Sequence, residues 1–294
     1  MTHTVISEFN SSESWSILTD IEKSIKAKIE AIGTPLKNWD ISINYGIKTG
    51  FNDAFIIDYA KREQILSNCQ TEEERTRTEA IIRPILRGRD IKRYGYDFAG
   101  QYIIATFPSK HYNIDDYQAL KSYLLTFGME RLEQTGKEYI INGERVKARK
   151  KTNNMWFETQ DSINYWDEFS KPKIVWGNLN TSGGYALAPE NMYINAPSCM
   201  IVPGNKYLLA ALNSKVADYY IRTLGVVRNG GFFEYKPMFV EKIPIPKIPT
   251  EQELVFDEIL SSSLTENERD AKINELLCEL YGLSEEEISF LHSQ

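Results

Sequence analysis

Apolar residues recur every three or four positions in several stretches of the chain, which is the spacing of an amphipathic helix. These stretches are residues 15–32, 115–133, 207–224 and 273–281. We expect Gly33 to end the first helix in the left-handed conformation and Gly225 to end the third. The charged residues 59–82 predict further helix that ends before Pro84.

Shorter runs, in which apolar residues alternate with polar ones or follow one another, predict strands. They lie at residues 41–45, 54–58, 102–108, 173–177 and 198–204. Asn142-Gly143, between two short runs, predicts a two-residue hairpin turn. Together the elements predict an α/β (mixed α+β) fold, in which a twisted mixed sheet carries glycine turns and basic loops.

A proline-rich stretch, KIPIPKIPTEQE at residues 242–253, separates this region from a helical end. We therefore predict a domain at residues 1–247, which includes the N-terminal helix, and an acidic helical segment at residues 248–294. Thr265 with Glu268, and Ser284 with Glu287, have the spacing of capping boxes, which begin helices.

Composition is that of an ordinary globular protein, with 42% hydrophobic and 26% charged residues among 294. The cysteines Cys69, Cys199 and Cys278 are far apart and form no CxxC pair, which fits a reducing cytoplasm and argues against a zinc site. We expect a cytoplasmic protein without a membrane partner, because no apolar run approaches spanning length.

The charge is unevenly distributed along the chain. The formal net charge is −7, which at first argues against nucleic acid, but residues 250–294 alone contribute 12 acidic and 2 basic residues. Residues 83–151 contain 14 basic and 8 acidic residues. Such a basic middle is compatible with DNA binding and equally with a protein whose charge is merely uneven.

Two basic segments are the main candidates for contact with phosphate. The first is RPILRGRDIKRY at residues 83–94, with candidates Arg87, Arg89, Lys92 and Arg93; a structural pairing of Arg87 or Arg89 with Asp90 is the alternative. The second follows the hairpin turn, where Arg145, Lys147 and Arg149 lie two apart and are predicted to share one strand face. The candidates Lys150, Lys151, Asn153 and Asn154 come next; a solvated surface hairpin is the alternative reading of this segment.

Polar and glycine-rich turns add further candidates. Gly46 and Gly50 bracket Lys48 and Thr49 in GIKTG, which we call the glycine turn and which lacks P-loop spacing. The remaining candidates for DNA contact are Asn52, Asn178, Asn180, Thr181, Arg228 and Asn229.

Several blocks, in this order, resemble the TaqI-like C-terminal specificity (target-recognition) domain of type IIG bifunctional restriction-modification enzymes. They are NYGIKTGFNDAFIID, RPILRGRDIKRY, ARKKTNNMWFETQDSINYWDEFSKPKIVW, ALNSKVADYY and INELLCELYGLSEEEISFL. The proline-rich stretch also resembles the exit from the target-recognition domain of type I specificity subunits. The resemblance extends over about residues 15–292.

The resemblance implies sequence-specific recognition of double-stranded DNA for a restriction endonuclease and adenine-specific DNA methyltransferase. The implied partners are methyltransferase and nuclease domains of the same or another chain. No Asn-Pro-Pro-aromatic loop, glycine-rich S-adenosylmethionine loop or nuclease carboxylate set occurs, so we expect no catalysis and no cofactor in this chain, with S-adenosylmethionine and Mg²⁺ belonging to the catalytic domains. The alternatives are a stand-alone specificity subunit that recruits a methyltransferase, and a nucleotide-processing enzyme that uses the glycine turn as a phosphate cradle.

Overall fold

The computed structural model describes residues 18–225 and 228–294. The chain forms two compact units. The helical unit comprises Met1–Ser42, Leu179–Tyr185 and Gly204–Gln294, and the sheet unit comprises Ile43–Asn178 and Ala186–Pro203. Each unit combines separate stretches of sequence. The two predicted domains, by contrast, are continuous stretches that meet after residue 247.

Two four-stranded sheets organise the sheet unit. The first has the strand order Tyr185–Ala188, Lys173–Trp176, Cys199–Val202, Ser42–Tyr45, and the second has the order Tyr193–Ile194, Ile82–Leu86, Gln101–Ile104, Ile56–Asp58. In the second sheet, the strand that begins at Ile82 pairs antiparallel with one neighbour and parallel with the other. The mixed α/β class is therefore confirmed, with the strands distributed over several small sheets.

Helices cover the second sheet. Their bounds are Asn52–Phe55, Tyr59–Ser67, Glu72–Ile81, Gln118–Leu125 and Met129–Leu132. The charged helical segment at residues 59–82 is confirmed as two helices. The strand predicted at residues 54–58 is wrong at its start, because Ala54 and Phe55 end a short helix that buries both side chains. Apolar side chains from these helices and from the second sheet form one core cluster.

Each of the two basic segments contributes a strand to a small β-hairpin. The strands Glu138–Ile141 and Glu144–Lys147 form the two-stranded sheet that we call the ribbon. Its turn residues have φ values of 52° at Asn142 and 83° at Gly143, which confirms the predicted hairpin turn. The second hairpin pairs Ile91–Lys92 with Gly95–Tyr96.

The helical unit has its own core. Its helices are Asp20–Ile32, Lys206–Leu212, Lys215–Arg222, Pro237–Val240, Thr250–Ser261, Glu266–Leu280 and Glu285–Ser293, and its short strand pairs are Thr34–Pro35 with Pro244–Ile245 and Leu179–Asn180 with Phe233–Glu234. Side chains such as Ile25, Val216 and Leu291 pack together from three different helices. Both predicted capping boxes are present.

Two details of the helical unit differ from prediction. Gly33 follows the first helix with a φ of −80°, outside the left-handed region. Glycine is needed there because a Cβ would lie 2.5 Å from the carbonyl oxygen of Pro244. The single helix predicted at residues 207–224 is two helices, because Ser214 caps a new one by accepting a hydrogen bond from the Ala217 N–H.

Within the described part of the chain, no helix is long and apolar enough to cross a membrane.

Candidate nucleic-acid interface

The glycine turn is fixed from both sides within the sheet unit. The Gly46 N–H donates to the carbonyl of Ser198 at 2.7 Å, and the carbonyl of Lys48 accepts from the Gln160 N–H at 3.0 Å. A Cβ on Gly46 would lie 2.7 Å from a backbone carbon of the opposite loop, and Gly50 has a φ of 75°. Glycine is thus required at both ends of a turn that presents the exposed Lys48 side chain.

Thr49 supports this turn from inside and is fully buried. Its hydroxyl donates to Oδ1 of Asn52 at 2.7 Å and accepts from the Phe51 N–H at 3.1 Å. The Thr49 side chain is therefore buried and hydrogen-bonded within the fold, and its contact with DNA stays a prediction. Asn52 is exposed beside it and remains a candidate.

A cleft of about 360 Å³ lies beside the glycine turn, lined among others by Lys48, Asn52, Arg131 and Asn195. The Arg131 guanidinium lies 4.0 Å from the ring centroid of Phe51. One of its nitrogens donates to the carbonyl of Lys147 at 2.7 Å, at the end of the ribbon. The two cations and two amides provide donors suited to a phosphate group, and the Asp53 side chain also lines the cleft.

Arg131 was not among the residues predicted to contact DNA. It lies in a short helix, Met129–Leu132, within residues 115–133, where the apolar spacing predicted only a helix. Its position beside the predicted Lys48 follows only from tertiary contacts. The high count of basic residues between 83 and 151 was the one sequence signal that included it.

In the first basic segment, the Arg87 side chain forms hydrogen bonds within the fold. Its Nε and Nη2 donate to the two carboxylate oxygens of Asp90, each at 2.9 Å, and its backbone N–H donates to the same carboxylate. Burial opposes ionisation of Asp90, but these hydrogen bonds outweigh it and lower the pKa of that carboxyl. These contacts match the alternative interpretation of Arg87, in which it pairs with Asp90.

The neighbouring cations are more accessible. Arg89 and Lys92 are exposed, and Lys92 donates to the carbonyl of Arg89 at 3.1 Å. Arg93 is half-buried, with its guanidinium 5.0 Å from the ring centroid of Tyr94. Arg89 and Lys92 thus present positive charge outward from the small hairpin.

The ribbon presents a basic outer face. Ile140 lies opposite Arg145, and Glu138 lies opposite Lys147, so these four side chains share one face. All four are exposed. Arg145 also forms an ion pair with Glu138 at 3.4 Å. The predicted common face is confirmed for Arg145 and Lys147.

Arg149 departs from that prediction, since its side chain is buried. The paired strand ends at Lys147, so the alternation of faces does not continue to Arg149. Its guanidinium instead donates to four backbone carbonyls at 2.5–3.0 Å, and burial lowers its pKa to about 10. These acceptors are the carbonyls of Thr49, Leu132, Trp156 and Glu158. We call the end of the ribbon that follows Lys147 its base. Arg149 therefore links this base to the glycine turn through the Thr49 carbonyl.

The residues after Arg149 separate into exposed and structural groups. Lys150, Lys151 and Asn153 are exposed. Asn154 donates through Nδ2 to the carbonyls of Thr159 and Gln160, at 3.1 and 2.9 Å. Its amide group thus stabilises a loop, and its contact with DNA stays a prediction.

Asn178 belongs to the sheet unit and is half-buried. Among the described residues, its Oδ1 has no hydrogen-bond partner although the atom is buried. It therefore presents little surface to a ligand in this conformation.

The remaining candidates belong to the helical unit. Asn180 pairs with Phe233 in a short strand pair, and the carbonyl of the exposed Thr181 accepts from Arg222. Arg228 is exposed and forms an ion pair with Glu234 at 2.8 Å. The Asn229 side chain lies outside the described residues. The one cation among these four candidates, Arg228, is therefore already paired.

Within residues 18–225 and 228–294, no group of three or more histidine, cysteine, aspartate or glutamate side chains is arranged to hold a metal ion.

The chain matches the family model of the TaqI-like C-terminal specificity domain over residues 83–245, which is more than half of its length. The match includes the ribbon and the first basic segment.

Two curated relatives align over nearly the whole chain. The type II methyltransferase M.PaeR7I of Pseudomonas aeruginosa is 22% identical over 291 residues, which are 96% of this chain and 45% of the relative. The type II methyltransferase M.XhoI of Xanthomonas vasicola is 21% identical over 287 residues, which are 95% of this chain and 47% of the relative. The chain thus spans about half the length of these relatives.

Two solved structures share the fold. The type IIL restriction-modification enzyme MmeI, solved in complex with DNA, superposes with a TM-score of 0.57 and 14% identity over 87% of this chain and 35% of MmeI. The type IIG restriction endonuclease BpuSI superposes with a TM-score of 0.51 and 13% identity over 90% of this chain and 33% of BpuSI.

Proposed function

Because this chain belongs to the TaqI-like C-terminal specificity domain family, we propose that it recognises double-stranded DNA as the specificity part of a type IIG restriction endonuclease and adenine-specific DNA methyltransferase. The observation that carries the proposal is the outer face of the ribbon, where Arg145 and Lys147 are exposed on a two-stranded sheet. A two-stranded ribbon fits the major groove of duplex DNA.

Phosphate contacts come from exposed cations on the sheet unit. The predicted candidates among these cations, outside the ribbon, are Lys48, Arg89, Lys92, Lys150 and Lys151. The cleft beside the glycine turn adds Arg131 and supports binding of one backbone phosphate next to the ribbon. Such contacts position the protein on the duplex, whereas sequence preference requires contact with base edges in the groove.

Catalysis belongs, in this proposal, to methyltransferase and nuclease domains of the same chain or a partner chain. S-adenosylmethionine and Mg²⁺ are assigned to those domains in this proposal, because the sequence has no methyltransferase or nuclease motif. The acidic helices after residue 250 suit packing on such a domain better than contact with DNA.

Fluorescence anisotropy with a labelled duplex of random sequence tests the proposal. We expect the chain to bind at low salt and to lose affinity steeply at moderate salt, because each phosphate contact releases counterions. Absence of binding at low salt contradicts the proposal.

A second experiment tests the assignment of catalysis to other domains. Incubation of the purified chain with plasmid, Mg²⁺ and S-adenosylmethionine should leave the plasmid uncut and its methyl content unchanged. Turnover by the pure chain would overturn this part of the proposal.

A further inference from the structure

The outer face of the ribbon carries one apolar side chain in a position that packing does not explain. Ile140 is 81% exposed, the largest value among the large hydrophobic side chains in the described part of the chain. On the inner face, the side chains of Tyr139, Ile141 and Val146 are half-buried, and Glu144 is exposed. Strand propensity alone does not account for Ile140, because threonine is also favoured in strands and is compatible with water.

The surroundings of Ile140 are complementary to DNA. Its cross-strand partner is Arg145, and Lys147 follows two residues later on the same face. Residues 137–151 contain six basic and two acidic residues, and all of them except the buried Arg149 are exposed. This charge favours a polyanion over a basic or neutral protein surface as the occupant. An isoleucine among these cations would lie at the floor of a groove while the cations reach toward phosphates.

The chemistry of the major groove supplies a matching group. Each thymine displays a C5 methyl there, which is the apolar feature of the base edges, and apolar side chains contact it. The groove is about 12 Å wide and admits a two-stranded ribbon. We propose that Ile140 contacts a thymine C5 methyl group and is a specificity-determining residue, an inference that rests on the proposed DNA recognition.

The test begins with a preferred duplex, obtained from a randomised duplex library by repeated binding to the wild-type chain. Each thymidine of that duplex is then replaced singly by deoxyuridine, which removes the methyl group and preserves base pairing. Affinities are measured for the wild type, for Ile140→Ala and for Ile32→Ala. Ile32 is a matched control, since it is an isoleucine with 52% exposure at the end of a helix in the helical unit.

For the wild type, we expect deoxyuridine at one position to weaken binding by about fourfold, the effect of one apolar methyl-sized contact. Ile140→Ala should weaken binding to the unmodified duplex by a similar factor and should abolish the effect of deoxyuridine at that position. Its salt dependence should equal that of the wild type, because no charge is removed. Ile32→Ala should behave as the wild type.

Other outcomes overturn the inference. A deoxyuridine effect that persists in Ile140→Ala overturns it, because a merely loosened ribbon would leave that effect in place. A wild type that binds duplexes without sequence preference, or without sensitivity to any thymine methyl, overturns it while leaving DNA binding intact. A wild type that binds no duplex at low salt overturns the proposed function and this inference together.

Discussion

The base and the outer face of the ribbon use the same kind of residue for different purposes. At the base, the Arg149 guanidinium is buried against four backbone carbonyls. On the outer face, Arg145 and Lys147 are exposed. The first basic segment repeats the contrast, with Arg87 paired to Asp90 and Arg89 exposed. Hydrogen bonds and ion pairs, local for Arg87 and tertiary for Arg149, decide which cations are available to a ligand.

The largest effect is expected at Arg149. Arg149→Ala should lower the free energy of unfolding by about 3–5 kcal/mol, because four carbonyls lose their donor and a cavity remains. Arg149→Lys should recover little of the lost stability, since an ammonium group cannot reproduce the planar array of donors of a guanidinium. Chemical denaturation measures the free energy of unfolding of both variants.

Lys147→Ala is the matched control for Arg149, two residues away and exposed. It should change stability by less than about 0.5 kcal/mol. An equal loss of stability in the two variants would remove the distinction between base and outer face.

Arg87 should give the next largest effect. Arg87→Ala leaves the Asp90 carboxylate, which is 5% exposed, without its bidentate partner. We expect a loss of about 1–3 kcal/mol in stability. Arg89→Ala should leave the melting temperature unchanged and weaken DNA binding. If Arg87→Ala instead melts as the wild type and loses affinity, Arg87 is a DNA contact.

Glu287, in the helical unit, tests whether buried and exposed acidic residues differ in the same way as buried and exposed cations. Burial opposes ionisation of Glu287, but hydrogen bonds from Ser24, Lys28 and the Ser284 N–H outweigh it and lower its pKa to about 2. Glu287→Gln should therefore cost about 1–2 kcal/mol at neutral pH. Glu286→Gln, one residue away and exposed, should cost almost nothing.

The pH dependence of the Glu287 effect follows from the sign of its pKa shift. The folded-state pKa lies below the ordinary value of 4.5, so the stabilisation is complete above about pH 4.5 and is lost as pH falls toward 2. The difference in stability between the wild type and Glu287→Gln should shrink over this range. A difference that stays constant between pH 6 and pH 2.5 would contradict the assignment.

Local signals predicted much of the fold. Asn142-Gly143 specified its hairpin through the positive φ values that those residues tolerate, and Thr265 and Ser284 began helices through side-chain caps. The break in the helix predicted at residues 207–224 was missed because the apolar period continues past the cap at Ser214.

The candidate interface was less predictable. Arg149 was assigned to the surface because alternation was extended two residues past the last paired position of the strand. The internal hydrogen bonds of Thr49 and Asn154 were not predicted, because they cannot be inferred from composition. Arg131 lies in the cleft with Lys48 only through long-range packing. Exposure of individual polar side chains therefore required the tertiary structure.

The most direct test of the account is the salt dependence of duplex binding by the wild type and by the double variant Arg145→Gln with Lys147→Gln. Both affinities are measured by anisotropy over a series of salt concentrations, with melting curves as a check on folding. We expect unchanged melting and a slope of log affinity against log salt that is smaller by about two units, one for each lost phosphate contact. An unchanged slope would show that the outer face of the ribbon does not contact DNA.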